Sequence, residues 1–162
     1  MTLSEEVLMG FAGVSIALIG FSGVVTALGR RGTGEWSPAE ILQLRMLVEP
    51  SIITLFGAFV PSTIALAVGD GDVAWRAANG VLFIGHCFGI GAFLRRGSRT
   101  TIQLSHKVVT VFALVVLISM LASSFGYIGS YQLTFCLGLI TGTLASVHNF
   151  YLLLFPVPEE AS

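Results

Sequence analysis

The sequence predicts an all-α fold: a polytopic membrane helical bundle of five transmembrane helices, with an interfacial amphipathic helix ahead of the second. Three observations predict it. Of 162 residues, 54% are hydrophobic and only 10% charged, against about 25% charged in soluble domains. Five apolar runs are each long enough, or nearly so, to cross the ~30 Å hydrocarbon core of a bilayer. The joining segments are short and hold most of the charge, so residues 1–162 read as a single transmembrane domain.

The first run, Val7 to Leu28, follows Glu5-Glu6 and precedes Arg30-Arg31. A cleavable signal peptide has its positive charge before the apolar run, so this one reads as a retained span. The second begins at Trp36-Ser37-Pro38-Ala39-Glu40. Ser37 suits the N-cap, Pro38 the first helical position, and Glu40 the acid that reaches back to complete a capping box. Trp36 and Ile41 occupy the staple positions around the cap. A helix from Pro38 to Val68 would be about 46 Å long, more than the hydrocarbon core needs. Its first part, to about Glu49, is therefore expected along the headgroups, and Ser51 to Val68 within the lipid. Pro50 and Pro61 each remove a helix N–H and favour a bend. The third run, Val73 to Leu94, follows Gly69-Asp70-Gly71-Asp72 and ends at Arg95-Arg96-Gly97. The fourth, Val108 to Ser124, is entered from a helical start near Thr100, and the fifth, Gln132 to Phe155, stops at Pro156 and Pro158.

Basic residues set the expected orientation. With the N-terminus outside, Arg30, Arg31, Arg45, Arg95, Arg96, Arg99 and Lys107 fall in the cytoplasm and only Arg76 outside, a split of 7 against 1 of the eight Lys and Arg. That is a strong positive-inside bias over short loops. Trp36 and Tyr151 then mark the inner interface, and Trp75, Tyr127 and Tyr131 the outer one.

Small residues recur at close-packing spacing: Gly13-Ala17 and Gly23-Ala27 in the first run, Gly85-Gly89 in the third, Gly138-Gly142-Ser146 in the fifth. Such rows let helix backbones approach in lipid, here within one chain or across a dimer seam. Cys87 and Cys136 both lie in apolar runs and read as packing residues rather than a disulfide.

Polar groups inside spans are costly and mark functional sites by default. Arg45, Glu49, His86, His148 and Asn149 are the candidates for a polar pocket in the cytoplasmic half, with His106 and Lys107 at the start of the fourth span. Arg45 and Glu49 are four residues apart and share a helix face. They read either as an interfacial ion pair or with Glu49 turned inward toward His148. Counting rise along each helix sets His86 about 20 Å and His148 about 24 Å below the outer edge, nearly level. Two level histidines on different helices could ligate haem or a metal, although no metal-ligand spacing accompanies them. No nucleophile elbow, phosphate loop or zinc motif occurs.

The run Gly20-Phe21-Ser22-Gly23-Val24-Val25, with Trp36, Leu44-Arg45 and Pro61 after it, resembles a group of uncharacterised small bacterial integral membrane proteins over the first ~70 residues. The resemblance implies the bacterial inner membrane and no activity. Size and span number are also similar to the tryptophan-rich porphyrin-binding sensory proteins, but the chain has 2 Trp and none of that family's first-loop motifs. The expected function is a small non-enzymatic inner-membrane protein: an oligomeric channel, a transport component or a subunit of a membrane complex. The lipid bilayer and a homo-oligomer or complex are its expected partners. No catalytic residue, cofactor, metal or nucleic acid is expected. The alternative is a haem- or metal-binding redox protein using His86 and His148.

Overall fold

A computed structural model describes residues 4–29, 36–97 and 104–155. Five helices follow in order: α1 Glu5–Gly29, α2 Pro38–Val68, α3 Asp72–Gly97, α4 Leu104–Ser124 and α5 Tyr131–Leu154. The described chain is an all-helical bundle. By length and composition α1, α2, α3 and α5 can each cross a membrane, and α4 adds a shorter apolar stretch, Val108–Ser124. The start of the fourth helix near Thr100, the Arg30-Arg31 loop, and the Pro156 and Pro158 stop lie outside the described residues.

The local signals hold where they can be read. Ser37 Oγ accepts from the Glu40 N–H at 3.2 Å, and the Glu40 carboxylate accepts from the Ser37 N–H at 2.8 Å. That is the capping box, with Pro38 at the helix start. It satisfies two backbone donors that the first turn leaves over. Ser37→Ala is expected to cost about 1 kcal/mol and to speed amide exchange over the first two turns of α2 while leaving α5 unchanged. The stretch expected along the headgroups and the second apolar run form one continuous helix through Pro50 and Pro61. At the other end of the fold, Tyr127 N–H reaches Ala122 O and Gly126 N–H reaches Ser123 O, both at 2.9 Å. This Schellman closure of α4 needs a left-handed residue, and Gly126 supplies φ +83°.

Helix α5 is the hub. Among the described residues it touches all four others, whereas α1 meets only α2 and α5, and α4 only α3 and α5. The reason lies in its small and hydroxylic residues. Phe135, Gly138, Leu139, Thr141, Gly142, Ser146 and Asn149 are all buried, so neighbours close on it from several sides. A Cβ on Gly138 would meet Met120 and Leu82, and one on Gly57 would meet Leu82 and Leu139. Gly85 and Gly89 of α3 both lie against Ile53. These rows are thus used inside the chain, as the packing reading expects. The α1 glycines, Gly10, Gly13, Gly20 and Gly23, meet nothing within 4 Å.

The apolar core gathers Ala58, Ala78, Leu82, Met120, Phe135 and Leu139, with Leu8 and Ala12 of α1. It occupies the half nearer the α2–α3 and α4–α5 turns. The outward faces carry Phe56, Leu66, Phe88 and Ile118, an apolar exterior suited to lipid. Cys87 is exposed and Cys136 half-buried, both free. Packing in the interior therefore does not account for Cys87.

Candidate functional site

Polar side chains line the interior of the other half. Two antiparallel pairings fix the level of α2 against α5. The Ser51 and Ser146 hydroxyls are hydrogen-bonded to each other at 2.9 Å, and the Thr54 hydroxyl lies directly against Gly142. Leu47, Ser51, Thr54 and Ala58 recur at four, three and four residues, so they form one seam of α2. All four are buried, as are Gly142, Ser146 and Asn149 of α5. Most hydroxyls in the spans also close onto a carbonyl of the preceding turn, as Ser51 does on Leu47 O at 2.8 Å. In lipid that is how a hydroxyl avoids standing unsatisfied.

Thr54 departs from this pattern. It is fully buried, yet its Oγ1 has no conventional hydrogen-bond partner. Gly142 lies directly against it, where a Cα–H···O contact is the available substitute. Asn149 is 2% exposed. Its amide donates to Ala145 O at 2.8 Å, while its Oδ1 is unpartnered.

His86 closes the seam from α3. It is 8% exposed. Nδ1 lies 3.0 Å from Leu82 O on its own helix and Nε2 lies 3.1 Å from Gly138 O on α5. Nε2 also comes within 3.7 Å of where a Cβ on Gly142 would stand. Thr54, His86, Gly138 and Gly142 therefore meet at one junction of α2, α3 and α5.

A second polar group ties the opposite end of the bundle. The Asn79 amide donates to Trp75 O and to Tyr131 O, each at 2.9 Å. Ser123 Oγ donates to Thr134 Oγ1 at 3.0 Å, and Arg76 Nε donates to Ser124 O at 3.2 Å. Two clefts of about 240 and 120 Å³ open here on either side of Trp75, the first beside Asp72 and Tyr131, the second beside Glu5 and Asp70.

The five candidate pocket residues are not gathered into one place. His86 and Asn149 join the buried seam. Arg45 is exposed. Glu49 is half-buried, and two residues turn a helix by roughly 200°, which puts it on the opposite side of α2 from Leu47 and Ser51. Its face is that of Phe56, seven residues on and 67% exposed. His148 is half-buried and follows Thr134 and Thr141 at seven-residue intervals. That face looks toward α4, because Thr134 pairs with Ser123 there. The equal-depth expectation for the two histidines also needs correction. His86 stands level with Gly138 and Gly142, and His148 lies six residues, about 9 Å, beyond Gly142. Two axial haem ligands must oppose each other across one iron, and the His86 nitrogens face carbonyls. The pair does not suit a shared iron. Among the described residues no group of three or more His, Cys, Asp and Glu could hold a metal ion. His106 and Lys107 lie outside the side chains described.

Sequence reading missed Ser51 and Thr54, and named Ser146 only as part of a small-residue packing row. The available signal was the spacing of Leu47-Ser51-Thr54-Ala58 against Gly138-Gly142-Ser146-Asn149, two complementary small and polar rows. No family model matches the chain, and no curated protein or solved structure matches it either.

Proposed function

We propose that the chain is a non-enzymatic transport component of the bacterial inner membrane, working alone, as a homo-oligomer or inside a larger membrane complex. Its N-terminus is outside and its C-terminus cytoplasmic. The orientation rests on the 7-to-1 division of Lys and Arg. The bacterial inner membrane rests on the resemblance over the first ~70 residues. The working element is the buried seam of Ser51, Thr54, His86, Ser146 and Asn149.

One observation carries this reading: the buried polar groups Ser51, Thr54, His86, Ser146 and Asn149 gather along the α2–α5 contact and its junction with α3, and among them Thr54 Oγ1 and Asn149 Oδ1 lack partners, as Asn79 Oδ1 and Ser15 Oγ do elsewhere in the bundle. Leaving polar atoms unsatisfied in lipid costs stability, so such a gathering implies a use. The species carried must be small. A methyl group has no room between α2 and α5 at Gly142, so within one chain the seam suits a proton or a water-sized species rather than a solute.

Liposomes containing the purified protein and an internal pH dye test this directly. Under an imposed pH gradient, proton entry is expected to exceed that of empty liposomes and to fall at least about tenfold in Ser146→Val, which removes the hydroxyl opposite Ser51. Entry no faster than in empty liposomes, from protein whose native mass shows its assembled form, would remove the transport reading and leave a subunit role.

A further inference from the structure

We propose that His86 is a proton-binding site at the centre of the bundle, its ring held between two backbone carbonyls placed to accept from both N–H groups of an imidazolium. The proposal deepens the transport reading by naming the species carried and the residue that holds it.

The geometry is specific. The ring spans from Leu82 O at 3.0 Å to Gly138 O at 3.1 Å, one carbonyl at each nitrogen. A carbonyl oxygen only accepts. A neutral imidazole has one N–H, so it donates to one of these oxygens and turns a lone pair toward the other. The imidazolium has two N–H groups and donates to both. The site therefore has two states that differ by one α3–α5 or intrahelical hydrogen bond. Proton uptake forms an N–H bond at the bare nitrogen as an O–H bond of a hydronium breaks and water leaves. No electrons are transferred.

The surroundings fit a proton and little else. His86 Nε2 faces Gly138 O and, with the Thr54 hydroxyl of α2, borders Gly142 of α5, while Met120 of α4 lies against Gly138. None of these neighbours is ionisable, and Glu49, Arg45 and His148 lie on other faces, as described above. The charge of the imidazolium is thus met by oriented carbonyl and hydroxyl dipoles. Two carbonyls on adjacent helices suit that better than a bulky anion would. From Thr54 the seam leads through the Ser51–Ser146 pair to Asn149, which gives the proton a polar route to one side. On the other side the layer of Leu82, Met120, Phe135 and Leu139 separates His86 from Asn79 and Thr134.

The chain has three histidines, so ¹⁵N-histidine NMR in lipid bilayers reads the site. The His106→Gln/His148→Gln protein leaves His86 as the one signal, and His86→Gln in the full chain confirms the assignment. From about pH 8 to about pH 5, where histidines change charge, the ring signal is expected to pass from one protonated nitrogen to two. The Gly138 carbonyl ¹³C shift should move with it. A single neutral tautomer throughout, with a stationary Gly138 carbonyl, would overturn the proposal and leave His86 a structural tie. This readout is independent of flux. Titration without proton entry into liposomes would sink the transport reading alone, whereas entry without titration would sink the His86 assignment alone.

Discussion

Gly142→Val is expected to force α5 off α2 and to cost about 3 kcal/mol, read as an earlier transition when the protein is unfolded with SDS in mixed micelles. A Cβ at Gly142 would run into the Thr54 hydroxyl and approach Pro50 O at 3.5 Å. Thr54 cannot step aside cheaply, because a β-branched side chain in a helix has few χ1 options. Gly138 offers a contrast of the same residue type on the same helix. Its Cβ would meet Met120 Sδ at 2.9 Å and Leu82 Cδ2 at 3.0 Å, the far ends of flexible side chains. Gly138→Ala should therefore cost less than Gly142→Ala. Combining Gly142→Ala with Thr54→Ala should recover stability, with a coupling of about 1 kcal/mol. Equal costs at the two glycines, or no recovery in the double variant, would show that α2 and α5 do not close on Thr54 as described. Gly20, which meets nothing within 4 Å, is the control for substitution as such.

The contrast between these glycines also shows what could be read from the chain and what could not. Local punctuation was legible, because caps and breaks depend on neighbouring residues. Ser37, Pro38 and Glu40 start α2, Gly69 to Asp72 turn it into α3, and each expected apolar run coincides with a helix to within a few residues at its described ends. Relative depth was not legible. Counting rise from the start of each run assumes that the helices begin level, whereas the register depends on which small residues meet. Asn79 reaches Tyr131 O and His86 reaches Gly138 O, both 52 residues on. The start of α3 thus stands level with the α4–α5 turn, above the first residue of α5. That offset carries His148 below His86 although both counts gave similar numbers. Azimuth misled in the same way. Cost alone turned Glu49 inward, but Leu47 and Ser51 two positions to either side already take the face toward α5. Ser51 and Thr54 were passed over, and Ser146 was read only as a packing residue, because charge and imidazole stand out more in an apolar sequence. In lipid, however, hydroxyls fit between close helices with less strain than longer polar groups, and here they form the seam.

Phe135→Ala is expected to cost about 3 kcal/mol, the largest loss from a single truncation in the bundle. Phe135 is fully buried and is the largest of the fully buried side chains. Its ring meets Trp75 edge to face at 5.7 Å and 71°, and it packs in the cluster with Leu82, Met120 and Leu139. In a soluble core the same truncation would cost up to about 5 kcal/mol. The lipid case should sit lower, because moving an aromatic ring from hydrocarbon into the protein interior removes little contact with water. What remains is the loss of dispersion contacts and the void left behind. The partner measurement is Phe56→Ala, on the outward face of α2 and 67% exposed. Lipid fills the space that Phe56 vacates, so its cost should stay within about 0.5 kcal/mol. Comparable losses at both positions would mean that the faces assigned to interior and lipid are wrong. The void at Phe135 has a further expected property. Leu82, Met120 and Leu139 of its cluster and the Trp75 ring border it, and a cavity bordered mainly by apolar groups stays dry. Phe135→Ala should therefore not raise proton leak across liposomes, whereas Leu139→Ser, which sets a hydroxyl into the same layer, should. A leak from the alanine variant as large as that from the serine variant would show that this layer is not what separates the two polar ends of the bundle.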